Sequence, residues 1–179
     1  MAVHVPIAVH HLTEDIAPNE IELALTAADV TRISKSGKKV AVIGVENGYP
    51  IGTDINRVKE FWQRGGRYMS LAHNGHSQLS DSNTGEADNQ WMWGGLSPLG
   101  RQWVAEMNRL GIIIDGSHSS DATFDDMLRL SRVPIILSHS GPKAIFNHPR
   151  NLDDERMRQL AAHGGVMMLN SIFMVQHDG

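Results

Sequence analysis

The sequence contains no cysteine among its 179 residues. A disulfide framework, a thiolate metal site and a cysteine nucleophile are therefore excluded. Any metal that the chain binds must be held by histidine, aspartate or glutamate. Ten histidines supply the first of these ligand types, but their number alone indicates little, so their positions have to decide.

Long apolar runs and blocks of like charge are also missing. No stretch reaches the roughly 18 consecutive apolar residues of a membrane span. The N-terminus has no basic start, and His4, His10 and His11 interrupt its apolar run, which does not fit a signal peptide. The sequence as given predicts a cytoplasmic protein and leaves a leader on a longer precursor open. A net charge of −4, without a basic block, disfavours nucleic acid and membrane surfaces as partners.

The chain has short apolar runs that alternate with amphipathic stretches. Strands are predicted at residues 2–9, 39–45, 67–71, 111–115, 133–138 and 166–170, and helices at 19–34, 54–64, 98–110, 121–131 and 152–162. Apolar strands separated by helices indicate an α/β protein with a parallel sheet. No glycine-rich phosphate loop follows the first predicted strand, which favours a barrel over an open nucleotide-binding sheet. About six β/α units predict an incomplete (β/α)8 TIM barrel, with residues 1–179 as a single partial-barrel domain.

Ionisable side chains follow four of these predicted strands. The four are Glu46, His73, His118 and His139. In a (β/α)8 barrel the carboxyl ends of the strands face one mouth, where active sites lie. One histidine at a strand end is more often structural than a ligand, but four ionisable groups at equivalent positions reverse that balance. Two imidazoles and a carboxylate suit Zn²⁺ or a related divalent ion, and such a site supports hydrolysis.

Three stretches of the sequence resemble the renal (membrane) dipeptidase family of zinc peptidases. They are GVENGYPIG…FWQRGGRYMSLAHN, GLSPLGRQWVAEMNRLGIIIDGSHSS and PIILSHSGPKAIFNHPRNLDDERMRQLAAHGGVMMLN, in the order that the family has. They cover roughly residues 40–170. The resemblance implies a metallo-dipeptidase, in which one or two zinc ions support hydrolysis of the peptide bond of a dipeptide.

The resemblance also implies a role for each of five residues. Glu46 matches a carboxylate that bridges two zinc ions, and His118 and His139 match the ligands that complete the shell of one ion. His73 matches a catalytic histidine that contacts the substrate and stabilises the tetrahedral intermediate. Arg150 matches an arginine that helps to hold the substrate.

The sequence departs from the family's pattern in several places. It has no His-x-Asp motif of the kind that ends the family's first strand and supplies two ligands to the other zinc ion. The family's aspartate at the end of the last strand is not reached. Asn47 and Ala72 stand where the family usually has glycine and threonine. The six units therefore correspond to strands two to seven, a fragment lacking the first and last strands, and we expect impaired activity in this truncated chain.

Two other interpretations of the chain stay open. In one, it is an inactive metal-binding or assembly module, because an incomplete barrel exposes apolar edges through which copies can associate as a homo-oligomer. In the other, it is a different metal-dependent amidohydrolase on the same barrel. The dipeptidase-like spacing around Arg150 counts against this second interpretation. The expected partners are a small dipeptide and a second copy of the chain, with neither nucleic acid nor membrane.

Three further features have two interpretations each. Asp115 either orients a metal ligand or ends its strand. Trp91 and Trp93, in the long loop near the mouth, fit a binding platform and a packing role equally well. The acidic residues of the same loop, among them Asp81, are expected to be solvated rather than to form a further metal site.

Overall fold

Two parallel sheets covered by helices make up the fold. The computed structural model describes residues 4–170. The strands are β1 (Ile21–Leu23), β2 (Lys39–Ala41), β3 (Ile43–Val45), β4 (Gly66–Ser70), β5 (Ile113–Asp115), β6 (Ile136–Ser140) and β7 (Val166–Leu169). β1 pairs with β2, and β3 to β7 form a five-stranded sheet in sequence order. All these pairings are parallel, so the predicted α/β class is confirmed.

Helices connect consecutive strands of the larger sheet. The α-helices are α1 (His4–His11), α2 (Ala27–Lys35), α3 (Asn56–Gln63), α4 (Asn83–Asp88), α5 (Pro98–Leu110), α6 (Asp121–Leu130) and α7 (Asp154–Ala162). Helices α3, α5, α6 and α7 each precede one strand of the sheet and follow another. This is the βαβ arrangement that parallel pairing requires. None of the helices in residues 4–170 is both long and apolar enough to cross a membrane.

Helix α5 shows how closely local signals set an element's bounds. The Ser97 hydroxyl accepts a hydrogen bond from the Gly100 amide at 2.9 Å, and Pro98 occupies the first helical position. Gly111 ends the helix with φ of 75°, a conformation that glycine adopts readily. The fully buried Trp103 and Met107 then anchor α5 to the core. The predicted helix at residues 98–110 agrees with these bounds.

The core lies between the larger sheet and its helices. Met69, Ile114 and Leu137, from β4, β5 and β6, are buried and belong to one apolar cluster with side chains of α5 and α6. This packing fixes the strands side by side, so that their carboxyl ends lie together. Loss of a large side chain from such a cluster typically costs about 2–5 kcal/mol.

Two predicted elements near the N-terminus are wrong. Residues 4–9 of the predicted strand at 2–9 lie in α1, and residues 2 and 3 lie outside the described part. An apolar run without periodicity fits either structure, and Pro6 lies in the first helical turn, where proline is tolerated. The predicted helix at residues 19–34 is β1 followed by α2, which begins at the capping box of Thr26 and Asp29.

The predicted strand at residues 39–45 is divided in two. Val42 separates β2, which pairs with β1, from β3, which pairs with β4. The predicted strand at residues 133–138 begins and ends later, as β6. His139 therefore lies within a strand and not after it.

Strand β7 exposes apolar side chains. Val166, Met168 and Leu169 are 56%, 44% and 65% exposed. Within residues 4–170, β7 pairs on one side only, with β6. Unpaired apolar strands favour association between chains. Self-association through this edge stays a prediction, for which β7 offers the surface.

Candidate metal centre

Four side chains converge at the carboxyl end of the larger sheet. Glu46 follows β3, His73 follows β4, His118 follows β5 and His139 lies in β6. The Glu46 Oε1 atom is 3.1 Å from His118 Nε2, 3.0 Å from His139 Nε2 and 3.6 Å from His73 Nε2. The structure thus brings together the four residues that the strand-end pattern singled out.

These four side chains form two overlapping groups of three. Ligand atoms of Glu46, His73 and His118 all lie within 4.8 Å of one another. Glu46, His118 and His139 form a tighter group, in which the two Nε2 atoms are 2.9 Å apart. Ring orientation favours the second group. The His73 and His118 rings are stacked, 29° from parallel, so their in-plane lone pairs do not meet at a nearby point, whereas those of His118 and His139, at 61°, can.

The donors of the tighter group fit a divalent ion. Ligand atoms about 2.1 Å from a tetrahedral zinc ion lie roughly 3.4 Å apart, close to the separations seen here. Three protein ligands with a remaining open position are typical of catalytic zinc sites. Glu46 is also 48% exposed in its side chain, so the group is open to solvent.

His118 is held in a state that suits a metal ligand. It is only 6% exposed, and its Nδ1 atom is buried without a hydrogen-bond partner among the described residues. Burial, with smaller contributions from Arg150, His73 and His139, lowers the pKa of His118 to about 2. The ring is therefore neutral at physiological pH, and no proton has to leave before a cation binds.

Arg150 lies beside the centre rather than in it. The side chain is 6% exposed, and its Nη2 atom donates to the backbone carbonyl oxygen of His139 at 3.0 Å. Burial lowers the pKa of Arg150, and the negative charges of Asp115 and Glu46 act in the opposite direction. The guanidinium therefore adds positive charge next to the predicted ligands.

A buried polar network lies behind His139. Asp115 accepts hydrogen bonds from the backbone amides of Ser117 and Ser138, each at 2.9 Å, and from the Ser138 hydroxyl. The Ser138 Oγ atom is also 2.7 Å from His139 Nδ1. Ser138 and Ser117 were not among the predicted site residues. A serine that ends an apolar strand directly before a predicted ligand was the available signal for Ser138.

The loop before α5 is organised by Asp81. This residue was expected to be solvated, but it is fully buried and accepts hydrogen bonds from the amides of Met92, Gly94 and Gly95, among others. A buried carboxylate needs such donors, and the turn at residues 92–95 supplies them. Trp93 is 44% exposed, although its indole Nε1 donates to the Ser77 carbonyl oxygen at 2.9 Å. The expectation of a solvated Asp81 is therefore wrong.

The turn after Glu46 has an unusual backbone. Asn47 has a φ of 74°. Its amide donates to Ser70 Oγ at 2.9 Å, and its side-chain oxygen accepts from the Tyr49 amide at 3.0 Å. Asparagine is among the few residues that tolerate this left-handed region. Asn47 therefore combines the required backbone conformation with a local side-chain bond that glycine lacks.

We expect Asn47→Ala to destabilise the chain by about 1–2 kcal/mol, since alanine is strained at positive φ and leaves the Tyr49 amide without its acceptor. Asn47→Gly should stay within about 1 kcal/mol of the parent chain, because glycine removes the strain. Urea unfolding monitored by circular dichroism measures both. Asn19→Ala, at an exposed turn without positive φ, is the matched control. Equal destabilisation by alanine and glycine would contradict the backbone argument.

Comparison with known proteins gives a consistent match. A family model described as membrane dipeptidase (peptidase family M19) matches residues 5–177. The dipeptidase tcpJ of Claviceps purpurea is 37% identical over 158 residues, which are 88% of this chain and 36% of that protein. The crystal structure of the probable dipeptidase PvdM from Pseudomonas aeruginosa superimposes with a TM-score of 0.84 at 32% identity, over 92% of this chain and 42% of that one.

A third similar protein has a bound ligand. A metallopeptidase from Rhodobacter sphaeroides, solved with a phosphinate mimic of the dipeptide L-Ala-D-Ala, superimposes with a TM-score of 0.82 at 27% identity. The match covers 93% of this chain and 49% of that protein. The chain therefore spans between about a third and a half of the length of these relatives. The fold match confirms the predicted α/β barrel type, of which this chain covers a part.

Proposed function

Because this chain belongs to the membrane dipeptidase family, we propose that it carries a metal-dependent hydrolytic site for the peptide bond of dipeptides. The observation that supports this most directly is the convergence of Glu46, His118 and His139, whose ligand atoms lie 2.9–3.1 Å apart. They lie in or shortly after three separate strands of the sheet. Packing alone gives no reason for an exposed carboxylate to meet two imidazoles there.

In this proposal Glu46, His118 and His139 hold a zinc ion. Such an ion polarises a carbonyl group and supplies a nucleophile from water. The neutral His118 and the exposed Glu46 keep the position available to a cation at physiological pH. The ligand separations support this assignment over one that uses His73, whose ring is stacked against His118.

His73 and Arg150 have substrate roles in the proposal. The His73 Nε2 atom lies 3.6 Å from Glu46 Oε1, at the rim of the group, and the ring is half-buried. From that position it can donate a hydrogen bond to a carbonyl oxygen as negative charge develops there, an interaction commonly worth about 3–4 kcal/mol. The positive charge of Arg150 favours the terminal carboxylate that every dipeptide carries.

A phosphinate mimic of L-Ala-D-Ala tests the proposal, because binding is measurable even when turnover is slow. With one equivalent of zinc, we expect the 179-residue chain to bind this compound, since its tetrahedral phosphorus resembles the hydrolytic transition state. Glu46→Gln should weaken binding at least about tenfold, and Glu60→Gln, on the exposed side of α3, should not. Calorimetry measures binding, and a dipeptide panel measures turnover.

Three outcomes of this experiment would contradict the proposal. Zinc binding without affinity for the phosphinate would support the metal-binding or assembly module instead. Turnover of N-acylated amides, with no activity on dipeptides, would support a different amidohydrolase. Equal phosphinate affinity of the parent chain and Glu46→Gln would remove Glu46 from the site.

A further inference from the structure

The network behind His139 has a definite hydrogen-bond direction. The Ser138 hydroxyl lies between two groups, the Asp115 Oδ2 atom and the His139 Nδ1 atom, the second at 2.7 Å. A hydroxyl has one proton to donate, whereas an ionised carboxylate can only accept. The proton of Ser138 must therefore point to Asp115. The Ser138 oxygen can then only accept a hydrogen bond from His139. The group of His139 that donates this bond is Nδ1–H.

Two other contacts fix the orientation of the carboxylate. The amides of Ser117 and Ser138 both donate to the Oδ1 atom of Asp115, at 2.9 Å each, so Oδ2 is the oxygen that faces the hydroxyl. Asp115 is 1% exposed, which removes water as a competing partner. The Ser117 hydroxyl is a weaker neighbour of Ser138 Oγ, at 3.4 Å, and already accepts from the His139 amide at 3.0 Å.

We infer that Asp115 and Ser138 are positioning residues that hold His139 in the tautomer with its proton on Nδ1 and its Nε2 lone pair directed toward the space between Glu46 and His118. The inference extends the proposed function, because that lone pair is the one a metal ion would use. It concerns the neutral imidazole of the metal-free chain, so it can be tested without any reaction. Outer partners of this kind commonly orient ligating histidines.

His118 provides an internal contrast. Its Nδ1 atom is buried and has no hydrogen-bond partner among the described residues. Its neighbours lie on the Nε2 side instead, where Glu46 Oε1 is 3.1 Å and His139 Nε2 is 2.9 Å away, so the proton that faces the Glu46 carboxylate is placed on His118 and His139 Nε2 keeps its lone pair. The Asp115–Ser138 pair therefore acts on one of the two imidazoles, and its removal should alter the signals of His139 more than those of His118.

An amide side chain at position 115 should reverse the direction of the hydrogen bonds from residue 115 through Ser138 to His139. In Asp115→Asn the carbonyl oxygen has to stay toward the two backbone amides, which places the NH₂ group against Ser138 Oγ. The hydroxyl then accepts from the amide and donates its proton to His139 Nδ1. This forces the His139 proton onto Nε2, where it blocks the lone pair. Ser138→Ala removes the hydroxyl without imposing either tautomer, and Ser138→Thr retains it.

Long-range ¹H–¹⁵N NMR of the metal-free chain near pH 8, above the ordinary imidazole pKa of about 6.5, tests the tautomers directly. We expect the Nδ1–H form of His139 in the parent chain and in Ser138→Thr, a mixture in Ser138→Ala, and the Nε2–H form in Asp115→Asn. Zinc affinity should fall about 10- to 100-fold in Asp115→Asn, by less in Ser138→Ala, and by no more than about threefold in Ser138→Thr. Asp154→Asn, on α7, is the matched control.

Several results would overturn the inference. One is an unchanged His139 tautomer in a folded Asp115→Asn chain. Another is a fall in zinc affinity without a change of tautomer, which would make Asp115 merely structural. If Asp115→Asn does not fold, identical His139 spectra for Ser138→Ala and the parent chain would overturn it equally. Failure of the phosphinate to bind would count against the dipeptidase proposal and leave the tautomer result unaffected.

Discussion

We expect the purified 179-residue chain to bind one zinc ion, and any of Glu46→Gln, His118→Asn or His139→Ala to weaken binding at least about 100-fold. The three ligands come from separate strands, and two remaining ligands form too small a set to retain the ion. Elemental analysis counts the ion, and competition with a chromophoric chelator gives the affinity. His11→Ala, on the exposed side of α1, is the control. A second tightly bound ion would show that other residues replace the absent His-x-Asp motif.

His73→Ala separates the two overlapping groups of ligands. If the ion is held by Glu46, His118 and His139, this substitution should change the zinc affinity by no more than about threefold while it weakens phosphinate binding. A loss of zinc affinity as large as that of His139→Ala would instead identify Glu46, His73 and His118 as the ligand set. The same titration measures both variants, so the comparison does not depend on the absolute affinity.

The metal-free chain should lose stability as the pH falls below about 6.5, and His118 should account for much of the loss. Burial lowers the pKa of His118 to about 2 in the folded chain. In the unfolded chain its pKa returns to about 6.5, so below that pH the unfolded state binds a proton that the folded state does not. The contribution to stability is therefore fully present above about 6.5 and is lost progressively toward about 2.

The contribution of His118 to the pH dependence of stability can be measured by comparing the parent chain with a variant that lacks this ring. A shift of one pKa unit corresponds to about 1.4 kcal/mol, so the free energy of unfolding should fall by roughly 2–3 kcal/mol between pH 6.5 and 4.5 through His118 alone. His118→Asn removes the titrating ring and tolerates the φ of 69° at this position. Urea unfolding of the parent chain and of His118→Asn, each in the presence of a chelator at both pH values, gives the pH dependence of the free energy of unfolding for each chain. Parallel pH dependence of the variant and the parent chain would contradict the assignment.

The sequence was most informative where local chemistry and burial agree. Helix α5 has a serine cap, a proline at its first position and a glycine at its end, and its bounds follow from them. The strands of the larger sheet were found because the burial of β4, β5 and β6 makes them apolar. Where these signals conflict, the prediction is wrong. Residues 5–9 are apolar without periodicity and lie in a helix, and the short strand β1 merges with α2 in the sequence pattern.

The candidate site could be predicted only in part. Strand-end positions place Glu46, His73, His118 and His139 at one edge of the sheet, because parallel strands share a direction. The orientation of each ring depends on neighbours that are far away in sequence, and no pattern reports it. The stacking of His73 on His118 and the hydrogen bond from Ser138 to Asp115 both arise from contacts between separate strands. Asp81 shows the same limit, since its burial depends on a turn more than ten residues later.

The distribution of the three ligands over β3, β5 and β6 has a consequence for the order of folding. Glu46, His118 and His139 are far apart in sequence and meet only when these strands have paired through β4. Non-local parallel pairing of this kind forms slowly. An ion that needs all three ligands finds no binding site in earlier, partly assembled states. Zinc should therefore leave the rate of refolding almost unchanged and act by retarding unfolding, so that the bound ion prolongs the lifetime of the folded chain.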